Sequence, residues 1–272
     1  MLASQPLARR GWLGKLRLTM RPRAGRTRVV EQSHEGPLTI QRAFYPEGDG
    51  TAHVVLLHPP GGMVGGDRLV LEAEVAANAS ALITTPGATK IYRSNGEEAL
   101  SSATLQVNED ASGEYVPQET VVFDGADARL HTEVHLAKGA RFLGWEVVCL
   151  GRPAANTTFR RGRVRLRFDV KREGRLLVSE RGLIDGDEGF ANASWGLQGQ
   201  AAFGTLVATE GSLDDVRAAL GDEGAATVVS GLLVVRALAR DGVRVRGVLE
   251  KARHCVRRAW GRPEIDPAIW RT

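Results

Sequence analysis

The densest concentration of chemically capable residues is LHPPGGMVGGDRL, residues 57–69. His58 and Asp67 flank Pro59, Pro60, Gly61, Gly62, Gly65 and Gly66. A phosphate cradle, an oxyanion hole, a metal loop and a purely architectural corner would each use such a stretch. A phosphate loop needs G-x-x-x-x-G-K-[ST] opening a helix. Here Gly66 is followed by Asp67, Arg68 and a strand-like run, and Asp67 would repel phosphate. An esterase-like hydrolase would use the glycines as an oxyanion loop, but no G-x-S-x-G nucleophile elbow occurs. HTEVH, residues 131–135, has its glutamate at the wrong place for H-E-x-x-H and alternates like a strand. In a strand, His131, Glu133 and His135 share one face, giving a weak surface metal site or, more simply, a solvated face. DGDEG, 185–189, lacks the later ligand and turn glycine of a calcium loop.

No catalytic constellation survives this pass. What remains is a set of carboxylates near turns and strand ends: Glu47, Asp67, Glu119, Asp124, Glu146, Glu180 and Asp185. Such oxygens suit a hard or borderline cation in transit, and equally suit local caps and Asx turns.

The elements that must position these residues read as strands. In RVRLRFDV, Val164, Leu166, Phe168 and Val170 alternate with Arg163, Arg165, Arg167 and Asp169. ARLHTEVHL (128–136), TAHVVLLH (51–58), RLVLEAEVAA (68–77), SALITTP (80–86) and ATLQVNE (103–109) are further strands, separated by Gly, Pro, Asn and Asp. The spacing predicts a mostly antiparallel, all-β body in a single domain, 1–272, with no clear repeat. Helix signals concentrate in 212–272 and predict two or three helices there. SLDDVRAAL (212–220) opens on Ser212 as N-cap. LEKARHCVRRAW (249–260) has helical spacing of Leu249, Ala252, Val256 and Trp260. AATVVSGLLVVRALAR (225–240) places Val228, Leu232, Val235 and Ala239 on one helical face, although its valines also permit a strand.

The chain has 36 Lys and Arg against 32 Asp and Glu, a net charge of +4. Residues 1–30 hold eight of the basic residues and no acid, and 160–175 form a second basic block. These fit solvated strand faces; a nucleic-acid-binding module is the alternative, weakened by the scarcity of interleaved aromatics. Two cysteines, Cys149 and Cys255, and the lack of an apolar leader or spanning run predict a reduced, cytoplasmic protein without membrane contact. Residues 1–10 are open to being disordered.

Several blocks then carry a resemblance. GPLTIQRAFYPEG (36–48), LHPPGGMVGGDRL (57–69), ALITTPGATKIYRS (81–94), PQETVVFDGADARL (117–130), GARFLGWEVVCLGRP (139–153) and IWRT (269–272) occur in order. Together they resemble the urease accessory proteins of the UreD (UreH) family. The family's usual E-W-x-P-Q-E run stands here as Glu114-Tyr115-Val116-Pro117-Gln118-Glu119. The resemblance implies a β-helix-like stack of sheets and a non-enzymatic maturation factor. It implies binding to apo-urease and to a helical UreF-like accessory protein, and through the latter to a UreG-like GTPase. Nucleic acid is not among these partners. It further implies no permanently bound cofactor, with Ni²⁺ passing through an internal tunnel. The transient nickel-path candidates are then His58, Asp67, Glu119, Asp124, Glu146 and Glu180, with no tight site. Pro59, Pro60 and the four loop glycines, with Pro86 and Gly87 of TTPGATK, are expected to be structural corners that cluster in space. Trp260 and Trp270 are expected as partner-binding anchors.

Overall fold

The computed structural model describes residues 11–48, 50–186 and 189–271. Residues 1–10, Thr272, and Asp187 and Glu188 of the DGDEG stretch lie outside the described residues. Among the described residues the strands form a seven-stranded and an eleven-stranded sheet that face each other. In chain order they are β1 (Leu13–Arg23), β2 (Arg26–Glu35), β3 (Thr39–Ile40), β4 (Ala52–Leu57), β5 (Gly62–Met63), β6 (Arg68–Val75), β7 (Ser80–Thr84), β8 (Thr89–Ile91) and β9 (Ala99–Val107). There follow β10 (Ser112–Tyr115), β11 (Thr120–Val122), β12 (Ala126–Leu136), β13 (Arg141–Leu150), β14 (Gly162–Arg172), β15 (Arg175–Asp185), β16 (Ala202–Ala208), β17 (Gly224–Val229) and β18 (Leu232–Ala239).

The centre of both sheets is parallel, which corrects the antiparallel expectation. In the first sheet β1, β6, β9, β12 and β14 run parallel side by side. In the second, β4, β7, β10 and β13 do the same. Antiparallel partners occur only at the flanks, as in β1–β2 and β14–β15. The chain therefore coils: each turn crosses the second sheet, bends at a corner, and returns along the first. The stacked coils are the β-helix-like arrangement implied by the resemblance. A short repeat marks the start of successive coils. Val75-Ala76-Ala77-Asn78-Ala79-Ser80, Val107-Asn108-Glu109-Asp110-Ala111-Ser112 and Leu136-Ala137-Lys138-Gly139-Ala140-Arg141 align one above another. Asn78, Asp110 and Gly139 all take positive φ, and Ala79, Ala111 and Ala140 are buried beneath them. Asn and Asp tolerate this conformation and Gly adopts it freely. The stack is tied by Asn78 N–H to Glu109 O and Asp110 N–H to Lys138 O.

Two cores result. One fills the space between the sheets, with Leu18, Leu71, Leu105, Val134, Phe142 and Phe168 among its members. The other lies on the far side of the second sheet, under α1 (Leu213–Leu220) and α2 (Gly242–Ala259). Ser212 caps α1 as expected, accepting from Asp215 N at 3.2 Å. α2 starts earlier than its sequence signal, because Asp241 caps it through Arg244 N at 2.9 Å. Between the helices, residues 225–240 do not form a helix but the β17–β18 hairpin, turning at Ser230 and Gly231, both of positive φ. Leu232–Val235 is apolar without a break because β18 is covered on both faces, so its run carries no period to read.

α2 is fastened by charge as well as by apolar contact. Arg253 and Arg257, one helical turn apart, both reach the buried Glu114 of β10. Arg257 also holds Glu47, which meets His53 of β4 at 2.6 Å. Burial works to raise the Glu114 carboxyl, but the Arg253 and Arg257 charges prevail and hold it below the usual range. Removing one partner of such a buried set leaves uncompensated charge, at about 3–5 kcal/mol. Glu114→Gln is therefore expected to lower the free energy of urea unfolding by about that amount. Glu180→Gln, which breaks a partly exposed pair with Arg236, should cost under ~1 kcal/mol in the same assay.

Candidate functional site

Three coils bend from one strand segment to the next at a proline: His58-Pro59-Pro60-Gly61 between β4 and β5, Thr85-Pro86-Gly87-Ala88 between β7 and β8, and Val116-Pro117-Gln118-Glu119 between β10 and β11. A proline holds its predecessor extended and fixes its own φ, so each bend is stiff. The corners stack. Gly62 pairs with Lys90, and Thr120 with Thr89. Gln118 N donates to Thr85 Oγ1 at 2.9 Å, and Thr84 Oγ1 donates to Val116 O at 2.6 Å. The two glycine-rich blocks thus do cluster. Gly66 takes φ 92°, and a Cβ at Gly62 would lie 2.4 Å from the Tyr92 ring. Gly87 differs: a Cβ there meets open space and its φ is not positive, so nothing in the fold demands glycine at that position.

In the next coil β13 passes the same level without bending. Its residues alternate, with Trp145 and Val147 in the helix-side core and Phe142, Val148 and Leu150 in the inter-sheet core. Glu146 falls on the inter-sheet side, in mid-strand rather than near a turn. Thr132 of β12 lies beside it on a shared cavity and favours its ionised form. The protein surrounds Glu146, yet it borders two cavities. The inner one, of about 100 Å³, runs beneath the corners and touches His58, Thr85, Gln118, Thr132 and Glu146. The outer one, of about 830 Å³, opens between β15 and the β16–β18 edge and holds Glu180 and Arg236. Its apolar rim includes Leu183, 56% exposed, and Leu238, 39% exposed. Each coil thus sets a polar side chain on the inner cavity, among them His58, Thr85, Gln118 and Glu146.

The electrostatics follow from this enclosure. Burial pushes the Glu146 carboxyl up to about 7, with Thr132 pulling the other way. Tyr115, which also lines the inner cavity, has its phenol pushed up by burial and by the Glu146 charge. Burial pulls His58 below its ordinary value, against the raising effect of Asp67. Its Nε2 is buried without a hydrogen-bond partner, and its ring packs on Trp12 at 4.8 Å.

The other sequence candidates are engaged elsewhere. Asp67 is buried and accepts from Val64 N at 2.8 Å and Trp12 N at 3.1 Å, so it fastens the glycine loop. Asp124 accepts from the backbones of Arg160 and Arg161 and from the Arg161 guanidinium, which above all holds its carboxyl low. Glu119 lies on the helix side, against Gly242 and 3.7 Å from Arg246. Trp260 is only 7% exposed, inside the helix-side core. Trp270 packs 5.9 Å from Trp145 and donates to Thr84 Oγ1 at 2.9 Å. Both tryptophans therefore take part in this chain's own packing, Trp260 buried and Trp270 partly exposed. Glu133 is taken by Lys171 and lies 3.3 Å from His135. Among the described residues no three His, Cys, Asp or Glu side chains converge as a metal site. Thr85, Gln118, Tyr115 and Thr132 were not singled out from sequence. The recurrence of proline at 59–60, 86 and 117, once per coil, is the signal that points to the first two.

The Glu146 carboxyl is expected to leave a mark on stability. Its folded value of about 7 lies above the ordinary 4.5. Below pH 4.5 both states are protonated and the group is neutral in effect. Between pH 4.5 and about 7 the unfolded chain ionises first, so stability falls, by about 3 kcal/mol or less. Above about 7 the loss is complete. Urea unfolding of Glu146→Gln across this range should show a correspondingly flatter profile than the parent chain.

Comparison with known proteins agrees with this architecture. The family model described as UreD urease accessory protein matches residues 13–271. The urease accessory protein UreD of Alkalilimnicola ehrlichii is 43% identical over 271 residues, covering 96% of this chain and 92% of the relative. That of Citrobacter koseri is 40% identical over 272 residues, covering 97% and 93%. With the match spanning nearly the whole chain, the protein belongs to the UreD family of urease accessory proteins.

Proposed function

We propose that this chain is a non-catalytic urease maturation factor that conducts Ni²⁺ between its two sheets. The observation that carries the reading is the position of Glu146, a half-buried carboxyl that borders both the outer and the inner cavity. The ion is cargo. It enters at the outer cavity past Glu180, reaches Glu146, and continues beneath the stacked corners toward His58. The inner cavity is the tighter of the two, about 100 Å³ against about 830 Å³, so an ion entering it would exchange part of its water shell for the wall. Wall oxygens of Thr85, Gln118 and Thr132 would replace shed waters one at a time. Weak successive oxygen ligands suit transit, because an ion held firmly leaves slowly.

Glu146 supplies the charge logic. An empty passage with an ionised carboxylate would bury an uncompensated charge. A carboxyl titrating at about 7 is half neutral near neutral pH, and an arriving cation favours its ionised form. The proton leaves as the ion arrives, so the net charge in the interior changes by less than the full charge of the ion. The partners in this reading are apo-urease, a UreF-like helical accessory protein and, through it, a UreG-like GTPase, which loads the cargo. One of them covers the apolar rim at Leu183 and Leu238. No helix among the described residues is long and apolar enough to cross a membrane, and the reading sets the work in the cytoplasm.

The test is maturation of urease with variants of this chain, reading nickel per urease active site by mass spectrometry after confirming that the complex still assembles. Val148→Trp, which fills the wall shared by the cavities, should reduce nickel delivery by about tenfold or more. Glu146→Gln should reduce it severalfold, and Glu180→Gln little, since water replaces one exposed oxygen at small loss. Full nickel loading with Val148→Trp in an intact complex would exclude this route. Failure of the parent chain to support maturation would overturn the functional reading itself.

A further inference from the structure

We propose that the open edge beside β2 is a docking groove for an acidic, extended segment of a partner protein, taken up as an added β-strand. The argument starts from charge. On the outer face of the first sheet the arginines are neutralised within the chain: Arg163 by Asp185, Arg165 by Glu98 and Asp127, Arg167 by Asp169, Arg17 by Glu72. In the β1–β2 hairpin two arginine pairs meet directly, as Arg172 and Arg175 do in the β14–β15 hairpin. Its register sets Arg21 opposite Arg28 and Arg23 opposite Arg26. Like charges directly opposite one another across strands are destabilising. Arg26 stacks on Tyr45 at 4.5 Å. Neither the Arg28 nor the Arg42 side chain has an ion pair or hydrogen bond among the described residues. Arg21 reaches Glu31 at 3.8 Å, which leaves Arg28 and Arg42 as the unneutralised charges that line one groove at this edge.

Backbone geometry then says what would relieve them. β2 is the last strand of the seven-stranded sheet, and β3 is the last of the other. Between them lies a groove of about 840 Å³, with Arg26 and Arg28 on one wall and Arg42 on the other. β2 is bonded on this side at Thr27, to Gly50 O and the Tyr45 hydroxyl, and beyond Thr27 it is an edge strand with no neighbouring strand, which is the template for strand addition. Val30 and Phe44 are 36% and 42% exposed along the groove. A strand of alternating acidic and apolar residues would meet the arginines with one face and these side chains with the other. A single-stranded nucleic acid would satisfy the arginines but not the open backbone edge of β2. None of the residues lining the groove lines either internal cavity, so the inference does not rest on the conduit reading.

The experiment uses the full chain and a fluorescein-labelled peptide that alternates glutamate with valine and threonine. A lysine-for-glutamate counterpart and a short oligothymidylate are the comparison probes. Anisotropy should show binding of the glutamate peptide alone, weakening steeply with salt. Arg28→Glu combined with Arg42→Glu should weaken it by about tenfold or more. The corresponding Gln pair should give an intermediate loss, and Arg175→Glu, at an unpaired arginine of the β14–β15 hairpin, should leave it unchanged. Hydrogen exchange of the β2 amides should slow on binding. The proposal is overturned if the glutamate peptide does not bind, if Arg175→Glu weakens binding as much as the groove variants, or if β2 amides gain no protection. Tighter binding of oligothymidylate would assign the edge to nucleic acid instead. Concentration-dependent dimers abolished by Arg28→Glu would assign it to a second copy of this chain.

Discussion

Everything on the helix side of this molecule hangs on the burial of Glu114 between Arg253 and Arg257. Two carboxylates, Glu47 and Glu114, face two guanidiniums that are wholly shielded from solvent. Such a set is tolerable only when every charge is answered. The remaining donors go to carbonyls of the segment after α2: Arg253 to Ile265 O at 3.1 Å and Arg257 to Pro263 O at 2.7 Å. One cluster thus joins β4, β10, α2 and the C-terminal segment. It fixes the helix against the second sheet at the level where the corners stack, and that fixes which face of β13 looks inward.

The inward face is where function becomes affordable to the fold. A parallel stack with both faces covered is ordinarily lined by aliphatic side chains throughout. Here the corners interrupt that lining. Proline-stiffened bends stack there, and the cavity beneath them is lined by Thr85, Gln118 and Thr132 alongside Glu146. The carboxyl that the interior tolerates least well is also the one that borders both cavities. Asp67 and Asp124 illustrate the opposite fate. Each is an acid beside a turn, and each is taken by backbone amides: Asp67 by Val64 and Trp12, Asp124 by Arg160 and Arg161.

Alternation along single strands was legible, as were the Ser212 cap and the clustering of the two glycine-rich blocks. What alternation does not encode is the neighbour: β6, β9 and β12 have the same period whether they pair parallel or antiparallel. The coil repeat escaped because only a valine or leucine, a turn residue and an alanine recur, with corners of differing sequence between. β18 was ambiguous because full burial erases periodicity. Arg253 and Arg257 lie on the buried side of α2 despite their charge, and only their partners on distant strands make that acceptable. Glu146 was visible as an acid; its place opposite Thr132 depends on the spacing of the two sheets, which no local pattern carries.

The central claim is that the space between the sheets carries nickel past Glu146. It is tested most directly by diffraction at the nickel absorption edge from crystals of the chain equilibrated with Ni²⁺. The account predicts partial anomalous density within coordination distance of Glu146, continuing toward His58, and its loss at Glu146 in the Glu146→Gln variant. Density confined to surface sites, with none between the sheets at any nickel concentration that the crystals survive, would contradict it.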